Sequence, residues 1–485
     1  ISLVLFFVLG VLAAVLGSLA PALEAAGAAP AAALKAGDEA RAFARLQSAW
    51  PGVAVMLAGA ALTRAGPVGG LPLAGYLAIA LLLVGAVMLM PRIAVLGFRL
   101  APALGPGSLR LGLAQLRGAP GQAGVSLAAI VAAVSLMVSM AIMVASFRQS
   151  LDEWLERILP ADLYLRTGPG SDTAYLSTGE QQAIAGVPGI RRVEFLRTQR
   201  LAIDPDRPPI TLLARAVEAE GRVPPLLGAP HPVAPGEPPP AWVSEIAAAI
   251  YGWKPGEVIE IPLGGRRVRF TVAGVWRDYA RQQGAVLIER YEYVRRTGDA
   301  YADDAAMWLA PGADPENVRR DIEERLPLGA GVEMSGPEEI REVSLRIFDR
   351  TFAVTYALEL VAVVIGLFGL SSSFGALVLA RRREFGVLRH IGMTRRQIGA
   401  MLAGEGLLVS ALGLAAGLAL GWLISLVLID VVNPQSFHWG MELHVPWRLL
   451  AEFVAVMLTM ATLTAIASGR RAMSAEAVRA VKEDW

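Results

Sequence analysis

Long unbroken apolar runs alternate with short polar ones along this chain. Seven runs reach or approach the ~20 residues that a helix needs to cross hydrocarbon. They are about Ser2–Leu19, Gln47–Thr63, Leu73–Met90, Val125–Ser146, Phe352–Ala380, Ile398–Ile429 and Leu449–Ala467. The second is the shortest, and Pro51 interrupts it. Loop charges orient the set. Pro91–Gln122 carries Arg92, Arg99, Arg110 and Arg117 and no acid, and the tail carries Arg470, Arg471, Arg479 and Lys482. Both are expected in the cytoplasm, where short basic loops stay. Asp430–Pro446 holds Asp430 and Glu442 and no Lys or Arg, so it is expected outside.

Between the fourth and fifth runs the pattern changes to that of a soluble α+β domain, residues 147–350, expected on the outer face. Phe147, Leu151, Trp154, Leu155 and Ile158 continue the fourth span outward as a helical stripe. Ser335 and Glu338 have the spacing of a capping box, and Ile340, Val343 and Ile347 lead into the fifth span. Two stalk helices are therefore expected to carry the domain. Val258–Ile261 and Arg267–Val275 alternate as strands around a Gly264-Gly265 turn, and Glu316–Leu326 has helical spacing. Eight prolines in Pro224–Pro240 suggest a stiff linker between two lobes. Asp278-Tyr279 reads as a strand-end turn.

The segment Arg381–Gln397, RRREFGVLRHIGMTRRQ, holds six arginines against one acid, Glu384. Phe385, Leu388 and Ile391 recur at helical spacing, which predicts a short amphipathic helix at the cytoplasmic surface. Gly392 is placed to stop it in a left-handed turn, and Thr394 with Gln397 forms a capping box that starts the next helix. A basic loop that only sets topology would account for the arginines but not for this punctuation.

Composition narrows the chemistry. The hydrophobic share is 54%, net charge is +1 and there is no Cys; mean hydropathy is +0.50. That balance provides no field to attract nucleic acid, and the thiol, disulfide and Cys-metal routes are closed. A P-loop needs Gly-Lys-Ser/Thr, and none of Lys35, Lys254 and Lys482 follows a Gly. No G-x-S-x-G elbow occurs. Catalytic residues, cofactors and metal ligands are accordingly expected to be absent from this chain, and the four histidines, His438 and His444 included, read as surface residues.

Glu359 and Glu405 fall within spans. An ionised carboxylate at the bilayer centre costs on the order of 2.5–3.5 kcal/mol, so each should face protein or water. A packing hydrogen bond is the favoured reading over a polar contact in a substrate path. Gly406, Ser410, Gly413, Gly417, Gly421 and Ser425 form a stripe of small residues that lets another helix approach the sixth span closely.

Span, outer domain, span, RRREFGVLRHIGMTRRQI, span, short outer loop, span and basic tail together resemble the FtsX/MacB-type permeases of ABC transporters. Arg383, Glu384, Gly386, Leu388, Gly392 and Gln397 carry the most specific part of the likeness, which extends over about Leu113–Trp485. Glu257–Asp278 and Ala472–Glu483 resemble the family's outer domain and its ending. The resemblance implies a helical transmembrane bundle with one α+β extracytoplasmic domain. Residues 1–20 would be the last span of a preceding unit, 21–46 a cytoplasmic segment, and 47–122 a two-span connector with its loop. Residues 123–146 would be a span, 147–350 the outer domain with its stalks, 351–469 three spans with a coupling helix at 381–397, and 470–485 the tail. A weak likeness between the segments ending Ala33-Leu34-Lys35 and Ala480-Val481-Lys482 agrees with such a repeated unit. The chain begins inside an apolar run without Met, and this arrangement treats it as missing upstream sequence.

The resemblance further implies a multi-pass bacterial inner-membrane subunit whose partner ATPases, carrying ATP and Mg, press on Arg383, Glu384, Phe385, Gly386, Leu388, Ile391, Gly392 and Gln397. The motion would leave through the outer domain, exporting or extracting lipids, lipoproteins or other lipophilic substrates. The alternative is a sensor that acts on an outer-face protein, such as a cell-wall hydrolase or an antimicrobial-peptide signalling system, without transport.

Overall fold

The computed structural model describes residues 49–102, 105–118, 120–168, 175–217, 224–326 and 332–472, with isolated positions among 7–19. Apart from those isolated positions, the expected first span lies outside the described residues, as do the segment 21–46, the end of the tail and both ends of the proposed internal repeat. Among the described residues, five helices are long and apolar enough to cross a membrane.

Helix α1 (Trp50–Leu62) is shorter than these. Pro51 does not interrupt it but sits in its first turn, where the missing amide donor costs nothing. Gly52 and Gly59 let α1 lie against α2 (Leu73–Leu100); a Cβ on Gly52 would meet the Gly85 carbonyl at 2.9 Å. The third apolar run ends at Met90, but α2 continues through Pro91 to Leu100. The first part of the basic loop is thus helical, and α3 (Gly107–Gly118) occupies much of the remainder. Arg117 folds back to donate to the Phe98 and Ala101 carbonyls, both at 2.8 Å, satisfying the orphan acceptors at the end of α2.

Helix α4 (Pro120–Ile158) crosses the membrane and rises into the outer domain without a break. The domain is a nine-stranded mixed sheet in the order β5-β6-β4-β7-β3-β2-β8-β1-β9. Its elements are β1 (Leu163–Thr167), α5 (Thr178–Ala185), β2 (Ile190–Leu201), β3 (Ile210–Arg215), β4 (Pro240–Ser244), α6 (Glu245–Tyr251), β5 (Val258–Leu263), β6 (Arg266–Trp276), β7 (Ala285–Glu289), α7 (Arg290–Thr297), β8 (Asp304–Leu309), α8 (Pro315–Arg325) and β9 (Val332–Ser335). Gly264 and Gly265 take φ of +55° and +77°, the turn that joins β5 to β6.

Two apolar cores lie under the two ends of the sheet. One gathers Leu163, Leu165, Met307 and Ile322; the other gathers Ile210, Leu212, Phe270, Val272 and Tyr293. The strand β2 joins them. Its first half pairs with β8 and its second half with β3.

The proline-rich segment is therefore not the linker between the lobes. Residues 224–239 run along the edge of β6, with Leu227 and His231 amides donating to the Val275 and Ala273 carbonyls at 2.7 and 2.8 Å. A chain with few amide donors of its own suits a sheet edge, which needs only an occasional partner. Asp278 is a turn residue: its carboxylate accepts from the Ala280 amide and pairs with Arg281, both at 2.9 Å.

Helix α9 (Pro337–Ala380) returns from the domain to the far side of the membrane, again without a break. The expected capping box is not formed, because Ser335 is the last residue of β9 and pairs with Tyr164. Pro337 instead opens the helix, and the Gly336 carbonyl accepts from the Ile340 amide. Ile340, Val343 and Ile347 do lead into the fifth span within this one helix, and Val343 and Ile347 face outward, 44% and 61% exposed. The two stalks are held by ion pairs, Arg341 to Asp152 at 2.9 Å and Arg148 to Asp349 at 3.1 Å.

The remaining elements are α10 (Arg382–His390), α11 (Arg395–Val427), a π-helical turn at Leu428–Val432, α12 (Asn433–Phe437) and α13 (Trp447–Ala472). The membrane core gathers α2, α4, α11 and α13 around Leu127, Ile130, Val134, Ile424 and Met457.

Candidate coupling site at the cytoplasmic elbow

The elbow forms because α10 is stopped and α11 is started within a few residues. Gly392 has φ +104°, and its amide donates to Arg389 O while Met393 N–H reaches Leu388 O at 3.0 Å. This is the paired closure of a Schellman motif, and Met393 and Leu388 both pack on the same apolar cluster. Thr394 then caps α11, with Gln397 returning the bond to the Thr394 backbone.

The buried face of α10 is Phe385 and Leu388, packed with Val378, Ile398, Met401 and Leu402. Ile391 does not join it. It caps the helix and is 76% exposed, beside Val387 at 58%. Rotation past the last turn carries Ile391 away from the face that Phe385 and Leu388 share. Gly386 is half-buried, and its carbonyl lies 2.8 Å from His390 Nδ1. The Arg383 side chain lies outside the described residues.

Arg381, in the corner between α9 and α10, ties the elbow to the bundle. Its Nη1 donates to Glu405 Oε2 at 2.8 Å and its Nε to Glu384 Oε2 at 3.0 Å. The same Glu384 oxygen accepts from Gln115 of α3 at 3.1 Å. Glu384 also sits in the first turn of α10, where a negative charge is favoured by the helix dipole. The α3 backbone comes close because Gly112 has no side chain: a Cβ there would meet Glu405 Cγ and Met401 O at 3.1 Å. Four elements therefore meet around Arg381 and the Glu384 carboxylate. Sequence reasoning does not single out Arg381. The signal available is Glu405, which needs a cation, among six nearby arginines that spacing does not rank.

The other intramembrane carboxylate, Glu359, is half-buried on α9, and its Oε1 has no hydrogen-bond partner among the described residues. The small-residue stripe of α11 lies against α4. A Cβ on Gly413 would meet Ile130 at 2.9 Å, one on Gly417 would meet Val134 at 2.8 Å, and one on Gly421 would meet Val138 at 2.7 Å. Gly406 and Ser410 are buried in the same helix.

The fold and this site define a multi-pass membrane protein whose sheet domain is carried on two of its own spans. Comparison with known proteins gives the family. The family described as MacB-like periplasmic core domain matches residues 123–325, and that described as FtsX-like permease C-terminal matches 357–477. An uncharacterized ABC transporter permease protein of Mycobacterium tuberculosis is 28% identical over 96% of this chain, and the chain spans 56% of that relative's length. Among solved structures, the extracellular domain of the noncanonic ABC-type transporter YknZ from Gram-positive bacteria covers 36% of this chain and 99% of its own, at 13% identity and a TM-score of 0.25. A domain of a putative permease from Porphyromonas gingivalis covers 36% of this chain and 88% of its own, at 15% identity and a TM-score of 0.24. Together the two family matches and this relative support an FtsX/MacB-type permease of an ABC transporter, a multi-pass protein of the bacterial inner membrane.

Proposed function

We propose that this chain is the membrane subunit of an ATP-driven exporter or extractor of lipophilic or amphipathic substrates, and that a separate subunit hydrolyses the ATP with its Mg. The observation that carries this reading is the Arg381 bridge, which joins the elbow to the buried Glu405 at 2.8 Å directly below the unbroken helix α9. A push on α10 would reach α11 through Arg381 and the outer domain through α9. The exposed apolar pair Val387 and Ile391, one helical turn apart, offers the partner a greasy surface beside Glu384.

The test is ATP hydrolysis by the partner subunit co-purified with this chain. Glu384→Lys and Leu388→Pro should insert in the membrane and abolish stimulation of that hydrolysis. Full stimulation in both would remove the coupling role.

A further inference from the structure

On the opposite side of the bilayer, the loop between α12 and α13 is laced to α4. Ser146, Ser150 and Glu153 lie on one face of that helix, at spacings of four and three residues. Ser146 Oγ accepts from the His444 amide at 2.9 Å and donates to the His444 carbonyl at 3.1 Å; Ser150 Oγ accepts from the Glu442 amide at 3.0 Å. Glu442 and His444 then present their side chains to the same side as Glu153.

His444 Nδ1 lies 3.2 Å from the Glu442 carbonyl, a contact that requires the proton on Nδ1. In the neutral ring Nε2 then carries only a lone pair, and it faces Glu153 Oε1 at 3.3 Å. Two acceptors at that distance repel unless a cation lies between them. The second carboxylate, Glu442, brings all three donor atoms within 4.8 Å of one another.

We propose that Glu153, Glu442 and His444 bind a divalent transition-metal ion, zinc by the donor set, which clasps the outer loop to the first stalk. One imidazole and two carboxylates, with a water in the fourth place, is a zinc-type set; calcium takes six to eight oxygens. Bonds of about 2.0–2.1 Å in a tetrahedron separate neighbouring donors by roughly 3.3 Å, close to the His444–Glu153 separation. The remaining adjustment falls to the exposed Glu442 side chain. The contact from Nδ1 to a backbone carbonyl is the arrangement that fixes metal-binding histidines. Two groups compete for Glu153: Gln149 donates to it at 3.0 Å, and Arg157, 57% exposed, stands 3.7 Å away. Both are free to turn to solvent. Glu153 and His444 are far apart in sequence, so spacing does not reveal the site.

The experiment is zinc binding by the full chain in detergent, measured by elemental analysis after desalting, beside His444→Ala and Glu442→Gln. The wild type should retain one zinc per chain, lose it to EDTA, and bind about tenfold or more tightly than either variant. Zinc should also slow proteolysis of the 438–446 loop. Glu442 is exposed, so Glu442→Gln should melt like wild type without metal, which separates ligand loss from misfolding. No zinc retained by the wild type, or equal retention in both variants, overturns the proposal. Loop protection by zinc that EDTA does not reverse overturns it too.

Discussion

Arg381 Nη1 stands 2.8 Å from Glu405 Oε2, and the Glu405 side chain is 0% exposed. A buried pair of this kind is stable only as a pair, because either member alone is an uncompensated charge. Arg381→Ala should therefore destabilise the protein by about 3–5 kcal/mol. Arg381→Met combined with Glu405→Leu should recover most of that loss. Thermal unfolding in detergent reads both, and a double variant no more stable than Arg381→Ala would contradict the pairing.

Close approach of α11 to α4 depends on the missing Cβ atoms. In Gly421→Val the new atoms would enter the space of Val138, 2.7 Å away, and of the Ser135 carbonyl, 2.8 Å away. Overpacking of this kind costs about 1–3 kcal/mol, because the helices must shift to relieve it. A Cβ at Gly399, inside α11, would meet nothing within 4 Å, so Gly399→Ala should not destabilise in the same melt and should gain up to about 1 kcal/mol from helix propensity.

The helix stop depends on backbone geometry that a branched side chain resists. Gly392→Val, at φ +104°, should cost about 1–3 kcal/mol. If α10 transmits force, stimulated ATP hydrolysis should fall further in this variant than in Gly399→Ala, with membrane insertion equal in the two.

Acid should loosen the outer domain through Asp299. Burial pushes its carboxyl up, but hydrogen bonds from Tyr293 at 2.7 Å and Arg197 at 2.9 Å outweigh this and hold it below its ordinary 3.8. The folded value lies below the unfolded one, so the contribution is present above pH 3.8 and is lost as pH falls through the folded value. Asp299→Asn should flatten the acid limb of a stability profile followed by circular dichroism. An unchanged limb would assign acid sensitivity elsewhere.

Much of the fold is legible because its signals are local. The β5–β6 hairpin follows from two adjacent glycines between alternating strands. The elbow follows from Gly392, Thr394 and Gln397, all within six residues. Long apolar runs mark spans because hydrocarbon satisfies no backbone polar group. Local signals mislead where a proline or an apolar stripe has two uses. Pro51 and Pro91 look like breaks, yet one lies in a first turn and the other inside α2. Ile391 fits a helical stripe in spacing, but the helix ends before it.

Sequence alone determined the alternation of spans and loops, the amphipathic α10 and its stop, because each depends on residues within a turn or two of one another. Tertiary structure alone decided that Arg381, rather than another arginine, meets Glu405, and that Gln115 meets Glu384. It likewise laid the proline-rich segment along β6 and brought Glu153 to His444. Such pairings are fixed by how whole helices and strands pack, and packing sums many weak contacts across the chain that no short window contains.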